Sequence, residues 1–230
     1  MAPAVETVDQ EWKGLYKWGG IAWMITGLGA FVVIGLSVPL VSSLTSSQSA
    51  LNNLAGQATI AQIGFGLDDL LPLFVVPAAL ALYFALKGVN RSAIIAAASF
   101  HGLFAILHLA IGPNYLSLVT LSQDYLASTS SAQSAAYVAA ANYVFATDNV
   151  AFSVVLLVGG IAVLISGLVM LKGVFSKPVG YLGIAAGVLG IVAGPTSLVP
   201  TLLIVEVIFV LLVAVWDLLV GYRLYRLGRH

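Results

Sequence analysis

Between Gly20 and Tyr222 the chain divides into six apolar runs, about 20–41, 60–86, 92–112, 150–171, 179–193 and 201–222. Most are close to twenty residues, the length at which a helix crosses a hydrocarbon core. In lipid every backbone N–H and C=O must find its partner inside the protein, and helices achieve this segment by segment. Only 8% of the residues are charged and 60% are hydrophobic, where a soluble domain has about a quarter charged. The expected fold is all-α: a polytopic membrane protein built as a six-helix transmembrane bundle, residues 20–222, in contact with the lipid bilayer.

The charges give this bundle a direction. All nine Lys and Arg, at positions 13, 17, 87, 91, 172, 177, 223, 226 and 229, fall on the same side of the six runs. Basic residues stay on the cytoplasmic side, so both termini are expected to be cytoplasmic. Residues 1–19 form an amphipathic cytoplasmic lead-in with Trp12, Tyr16 and Trp18 expected at headgroup level, and 223–230 a basic cytoplasmic tail. The first residues lack a basic stretch feeding a short apolar core, so a cleaved signal peptide is not expected. No basic face exists beyond these flanks, which excludes nucleic acid as a partner. The chain has no Cys, excluding disulfides and thiolate chemistry.

Between the runs, residues 42–57 are uncharged and rich in Ser, Gln and Asn, and are expected to form a loop. Residues 115–143 are only moderately apolar and should form helical extensions or surface-lying helices. Pro72 and Pro77 predict a kink in the second run. Gly180, Gly183, Gly187, Gly190 and Gly194 recur every three or four residues, so one face of the fifth run is small enough for backbone-to-backbone packing. The sequence Leu-Lys-Gly-Val ends both the second run (Leu86 to Val89) and the fourth (Leu171 to Val174), an echo that a duplicated hairpin or a shared stop signal would explain equally.

Ionisable side chains inside such runs are rare and are functional candidates by default. Counted from the basic end at about 1.5 Å per residue, His101 lies roughly 15 Å deep and Asp217 roughly 9 Å. His108 and Glu206 lie roughly 25 Å deep, with Asp68 and Asp69 slightly beyond. Asp68, Asp69, His108 and Glu206 thus share one outer layer. Imidazole with carboxylates suits Zn, Fe or Mn, so a divalent metal is the cofactor this layer could take, if three helices converge. His101, His108, Glu206 and Asp217 are also candidates to bind a ligand or relay protons. His101 and His108 are seven apart and share a helix face with Ala97, Ala105 and Gly112. Haem is not expected, because two axial histidines need a second helix and only terminal His230 remains. Plainer readings compete. Asp68 and Asp148 also read as N-caps of their runs, and Asp217 is expected to pair with the Arg cluster below it.

Several stretches resemble an uncharacterised prokaryotic membrane family, domain of unknown function 4386. They are Leu82-Tyr83-Phe84-Ala85-Leu86-Lys87 with Asn90-Arg91, Leu118 to Tyr125, the turn from Lys172 to Gly183, and Trp216 with Gly221. The resemblance covers most of the chain and implies a six-helix protein of a prokaryotic plasma membrane. It supplies no activity, and the Asp68-Asp69 pair falls outside its pattern. The residues support a binding or accessory role first, as a ligand-binding or ion-binding module or as a helical subunit among other membrane subunits. An intramembrane metal-dependent enzyme using the outer layer and a small proton- or cation-coupled transporter are the alternatives.

Overall fold

The computed structural model describes residues 10–42, 46–197 and 203–229, and among these there is no strand. After a short 3-10 turn at Gln10–Trp12 come eight helices: α1 (Lys13–Ser42), α2 (Ser47–Gly56), α3 (Ala58–Leu86), α4 (Arg91–Ile111), α5 (Pro113–Ala127), α6 (Ser131–Met170), α7 (Lys177–Ala193) and α8 (Leu203–Leu227). Five stretches are long and apolar enough to cross a membrane: α1, α3, α4 running on into α5, α6 and α8. The sixth expected run, α7, is a shorter apolar helix of 17 residues.

Helices α1, α3, α4, α6, α7 and α8 pack each against the next and α8 returns to α1, closing a ring. Outward faces are apolar: Leu28, Ile63, Leu73, Ile106, Leu168 and Ile204 are each more than half exposed. Such a surface is compatible with lipid contact, and in lipid no water is available to drive burial. Helices therefore associate through close packing, and glycine supplies it. A Cβ at Gly160 or Gly167 of α6 would strike the backbone of α7 at Gly190 and Gly183, and one at Gly187 would strike the backbone of Leu164. The glycine face of α7 is thus filled by α6, together with Trp216 and Phe209 of α8, as close packing at its spacing predicts. A second seam closes the ring, where Gly20 of α1 and Gly221 of α8 meet backbone to backbone.

The basic segments gather at one end. Lys87 lies over the rings of Trp12 and Phe84, which stack at 3.7 Å. Arg223 Nε donates to the Val174 carbonyl at 3.0 Å, and Gly228 packs on Lys17. The two echoed Leu-Lys-Gly-Val turns touch as well, Gly173 against Leu86 and Val89. Tyr16 departs from its expected headgroup position. Helix α1 already begins at Lys13, which turns Tyr16 inward to be buried with Trp23, Leu82 and Leu224. Trp18, on the opposite side, stays exposed. Residues 1–9 of the lead-in lie outside the described residues.

At the other end, residues 47–56 correct the expected loop: they form α2. Ser46 and Ser49 make reciprocal capping bonds at its start, and Ala50, Leu51 and Leu54 bury one side against Leu118, Val119 and Ala141. Together α2, α5 and the first turns of α6 pack with the start of α3 as a second cluster at this end. Helix α6 is continuous from Ser131, so Asp148 is no cap: Ser130 caps the helix, accepting from the Gln133 N–H. Asp68 likewise lies well inside α3, which starts at Ala58 and runs unbroken through Pro72 and Pro77.

Candidate functional site

Two polar clusters face each other across the middle of the ring. The inner one, nearer the basic end, is built on Asp217 of α8, Thr26 and Trp23 of α1, His101 of α4 and Ser166 of α6. Periodicity puts them there: His101 and His108 share the buried stripe of α4 with Ala97 and Ala105. The Ser166 hydroxyl gives its one proton to the Ala162 carbonyl at 2.8 Å. Its oxygen, 3.2 Å from His101 Nε2, is then placed to accept from the ring in the tautomer protonated at Nε2. Trp23 meets the His101 ring edge-on at 5.3 Å and Trp216 at 5.4 Å, and donates through Nε1 to the Ala78 carbonyl.

Asp217 does not make the expected pair with the Arg cluster. At about 100° per residue, Arg223, Arg226 and Arg229 stand roughly 120° or more around α8 from it. Arg223 bonds Val174 instead, and Arg226 and Arg229 lie over Tyr222 and Tyr225. Asp217 is 5% exposed. Its Oδ2 lies 3.2 Å from the Thr26 hydroxyl, which also reaches the Trp23 carbonyl at 2.8 Å. Its Oδ1 is buried with no hydrogen-bond partner among the described residues.

The outer cluster joins α3, α4, α5 and α6. His108 Nε2 stands 3.4 Å from Asp68 Oδ2, while its Nδ1 is buried without a partner among the described residues. Phe104 and Phe152 flank the ring. Pro72 has no N–H to give the Asp68 carbonyl four residues earlier, which leaves that group free for other donors. Asp69 presses so closely on Gly112 that any Cβ there would overlap its carboxylate. Asp148 is buried and accepts from Asn114 Nδ2 at 3.3 Å and from the Tyr115 hydroxyl. Asp69 and Asp148, with Asp68, are the carboxylates whose charge His108 feels.

Of the four residues placed in one outer layer, Asp68 and His108 touch and Asp69 adjoins them. Glu206, in the first turn of α8, acts electrostatically on Tyr115. Among the described residues no three of His, Asp or Glu come together as a ligand set for a metal ion. Sequence reasoning did not pick out Thr26, Ser166, Asn114 and Tyr115. A lone hydroxyl in an apolar helix ordinarily bonds its own preceding turn, so no local signal marks these groups.

Between the clusters lies a cavity of about 160 Å³ lined by α1, α3, α4, α6 and α8. Asp217, Thr26 and His101 border it at one end, Asp68 and His108 at the other. The seven residues from His101 to His108 set that separation at roughly 10 Å. The wall between is apolar, with Trp23, Phe104, Phe152, Val155, Phe209 and Val213 prominent. Among the described residues no Lys or Arg lines it.

Residues 20–228 match the profile of the family described as Domain of unknown function (DUF4386). No curated protein and no solved structure matches the chain. With nearly its full length matched, the chain belongs to the DUF4386 family.

Proposed function

Since membership of this family brings no activity with it, we propose from the geometry that the protein is a ligand-binding module of a prokaryotic plasma membrane. It spans the bilayer six times with both termini cytoplasmic, and holds a small, largely apolar ligand in the central cavity. The observation that carries this is the cavity itself: an aromatic chamber inside a closed ring, bordered by buried polar groups at both ends. Sites for small molecules have this make-up, apolar walls with a few placed polar atoms. A role as a mere structural subunit would call for a small-residue face left open for an absent helix. The glycine face of α7 is instead occupied from within by α6.

Orientation rests on the basic end and has a direct test, because a chain without Cys accepts single reporter cysteines. Ala132→Cys, exposed near the start of α6, should react in intact cells with a membrane-impermeant maleimide. Ser176→Cys, at an N-cap that makes no side-chain bond, should react only after permeabilisation. The reverse pattern would invert the topology.

The chamber is tested by filling it. Small aromatic compounds such as indole or toluene should raise the thermal midpoint of the purified protein in a saturable way. Val155→Phe, which places a ring in the chamber wall, should remove that response while the variant still folds. A response that does not saturate, or one that persists in the filled variant, would mean the compounds act on the detergent shell and would sink this reading.

A further inference from the structure

Resting on that reading of the chamber, we infer that its ligand is a lipophilic amine, bound as the ammonium by Asp217. The chamber is selective by sign. Its two carboxyl side chains, Asp217 and Asp68, stand at opposite ends, and no Lys or Arg lines it among the described residues. The arginines nearest in sequence to Asp217 are committed elsewhere, Arg223 to the Val174 carbonyl and Arg226 and Arg229 to the rings of Tyr222 and Tyr225. A carboxylate or phosphate ligand would meet like charge in a medium of low dielectric, which strongly disfavours such a partner. An ammonium and the Asp217 carboxylate together bring no net charge into the bundle.

The Asp217 carboxyl is also incompletely satisfied. Thr26 serves Oδ2, and among the described residues the buried Oδ1 has no partner, although the residue borders the cavity. A buried acceptor left unbonded costs free energy that a ligand N–H would recover. The rest of the wall fits such a ligand. Trp23 lines the same chamber as Asp217, and indole is the best ring partner for a cation. Phe104, Phe152 and Phe209 line the space beyond, where an apolar body would sit. A void of about 150 Å³ accepts benzene, so 160 Å³ takes an aryl ring or short alkyl chain. The roughly 10 Å between clusters leaves room for a short arm carrying the nitrogen.

The test is a set of near-isosteric ligands: 2-phenylethylamine, 2-phenylethanol, propylbenzene and phenylacetate, titrated calorimetrically into the full chain in lipid nanodiscs. The amine should bind about tenfold tighter than the alcohol or the hydrocarbon, and phenylacetate should not bind. Asp217→Asn should bring the amine and the alcohol to equal affinity, while Asp68→Asn should keep the amine preference. Equal binding of amine and propylbenzene by the wild type, or a preference surviving in Asp217→Asn, overturns the amine assignment and leaves the chamber standing. Saturable binding by none of the four removes the chamber reading itself. If Asp217→Asn does not fold, the wild-type ranking still decides.

Discussion

Replacing Gly187 with leucine is expected to cost the protein about 3 kcal/mol or more and to lower its thermal midpoint by roughly 10 °C. The reason is the kind of atom in the way. A Cβ on Gly187 would come within 2.6 Å of the Leu164 Cα. A clash with a side chain is relieved by a rotamer change, but a clash with backbone is relieved only by moving one helix off the other. Pushing α6 and α7 apart would also open the neighbouring contacts of Gly160 with Gly190 and of Gly167 with Gly183. In lipid nothing replaces them, since close packing is what holds such helices together. Gly102→Ala is the control. Nothing lies within 4 Å of the position a Cβ would take there, and a helical Gly→Ala exchange is worth roughly 0.5–1 kcal/mol in favour of alanine. Circular dichroism melts of the two variants, in the same detergent as wild type, should move in opposite directions. An unchanged melt for Gly187→Leu would mean that α6 and α7 are not in backbone contact.

Much of this was legible in the sequence because membranes impose long periods. Apolar runs of about twenty residues mark α1, α3, α4, α6 and α8, and spacing alone set the glycine face of α7 against a neighbour. The stripe of His101 and His108 followed from the same periodicity. Illegible was whatever depended on where a helix truly begins. Asp148 reads as a cap if α6 starts where its apolar run starts. The helix starts instead at Ser131, because Ser130 supplies the cap and α2 and α5 give the early turns something to pack against. The α2 period was hidden in the same way, its three buried apolar residues set among Ser, Gln and Asn. Partnerships between helices left no trace at all. Nothing near Thr26 points to Asp217, and nothing near Ser166 points to His101, because each pair becomes adjacent only when the ring closes.

Asp217→Leu should make the ligand-free protein more stable, by about 1–2 kcal/mol, even as it removes the preference for the amine. Removing one partner from a satisfied polar pair strands the other, whereas removing a group that is itself stranded relieves a cost. Asp217 is of the second kind at Oδ1. At Oδ2 the Thr26 hydroxyl keeps its shorter bond to the Trp23 carbonyl once the carboxyl is gone. The larger leucine has space, because the residue borders a cavity of about 160 Å³. Ser166→Ala should behave oppositely: it removes the only acceptor shown for His101 Nε2, and should cost about 1–3 kcal/mol. The two buried polar contacts thus separate by sign in a single set of thermal melts. A carboxyl kept at the expense of stability has its use outside the fold, and a serine whose loss loosens the fold has its use within it. If Asp217→Leu melts as early as Ser166→Ala, the carboxyl is a structural strut and the chamber has lost its recognition group.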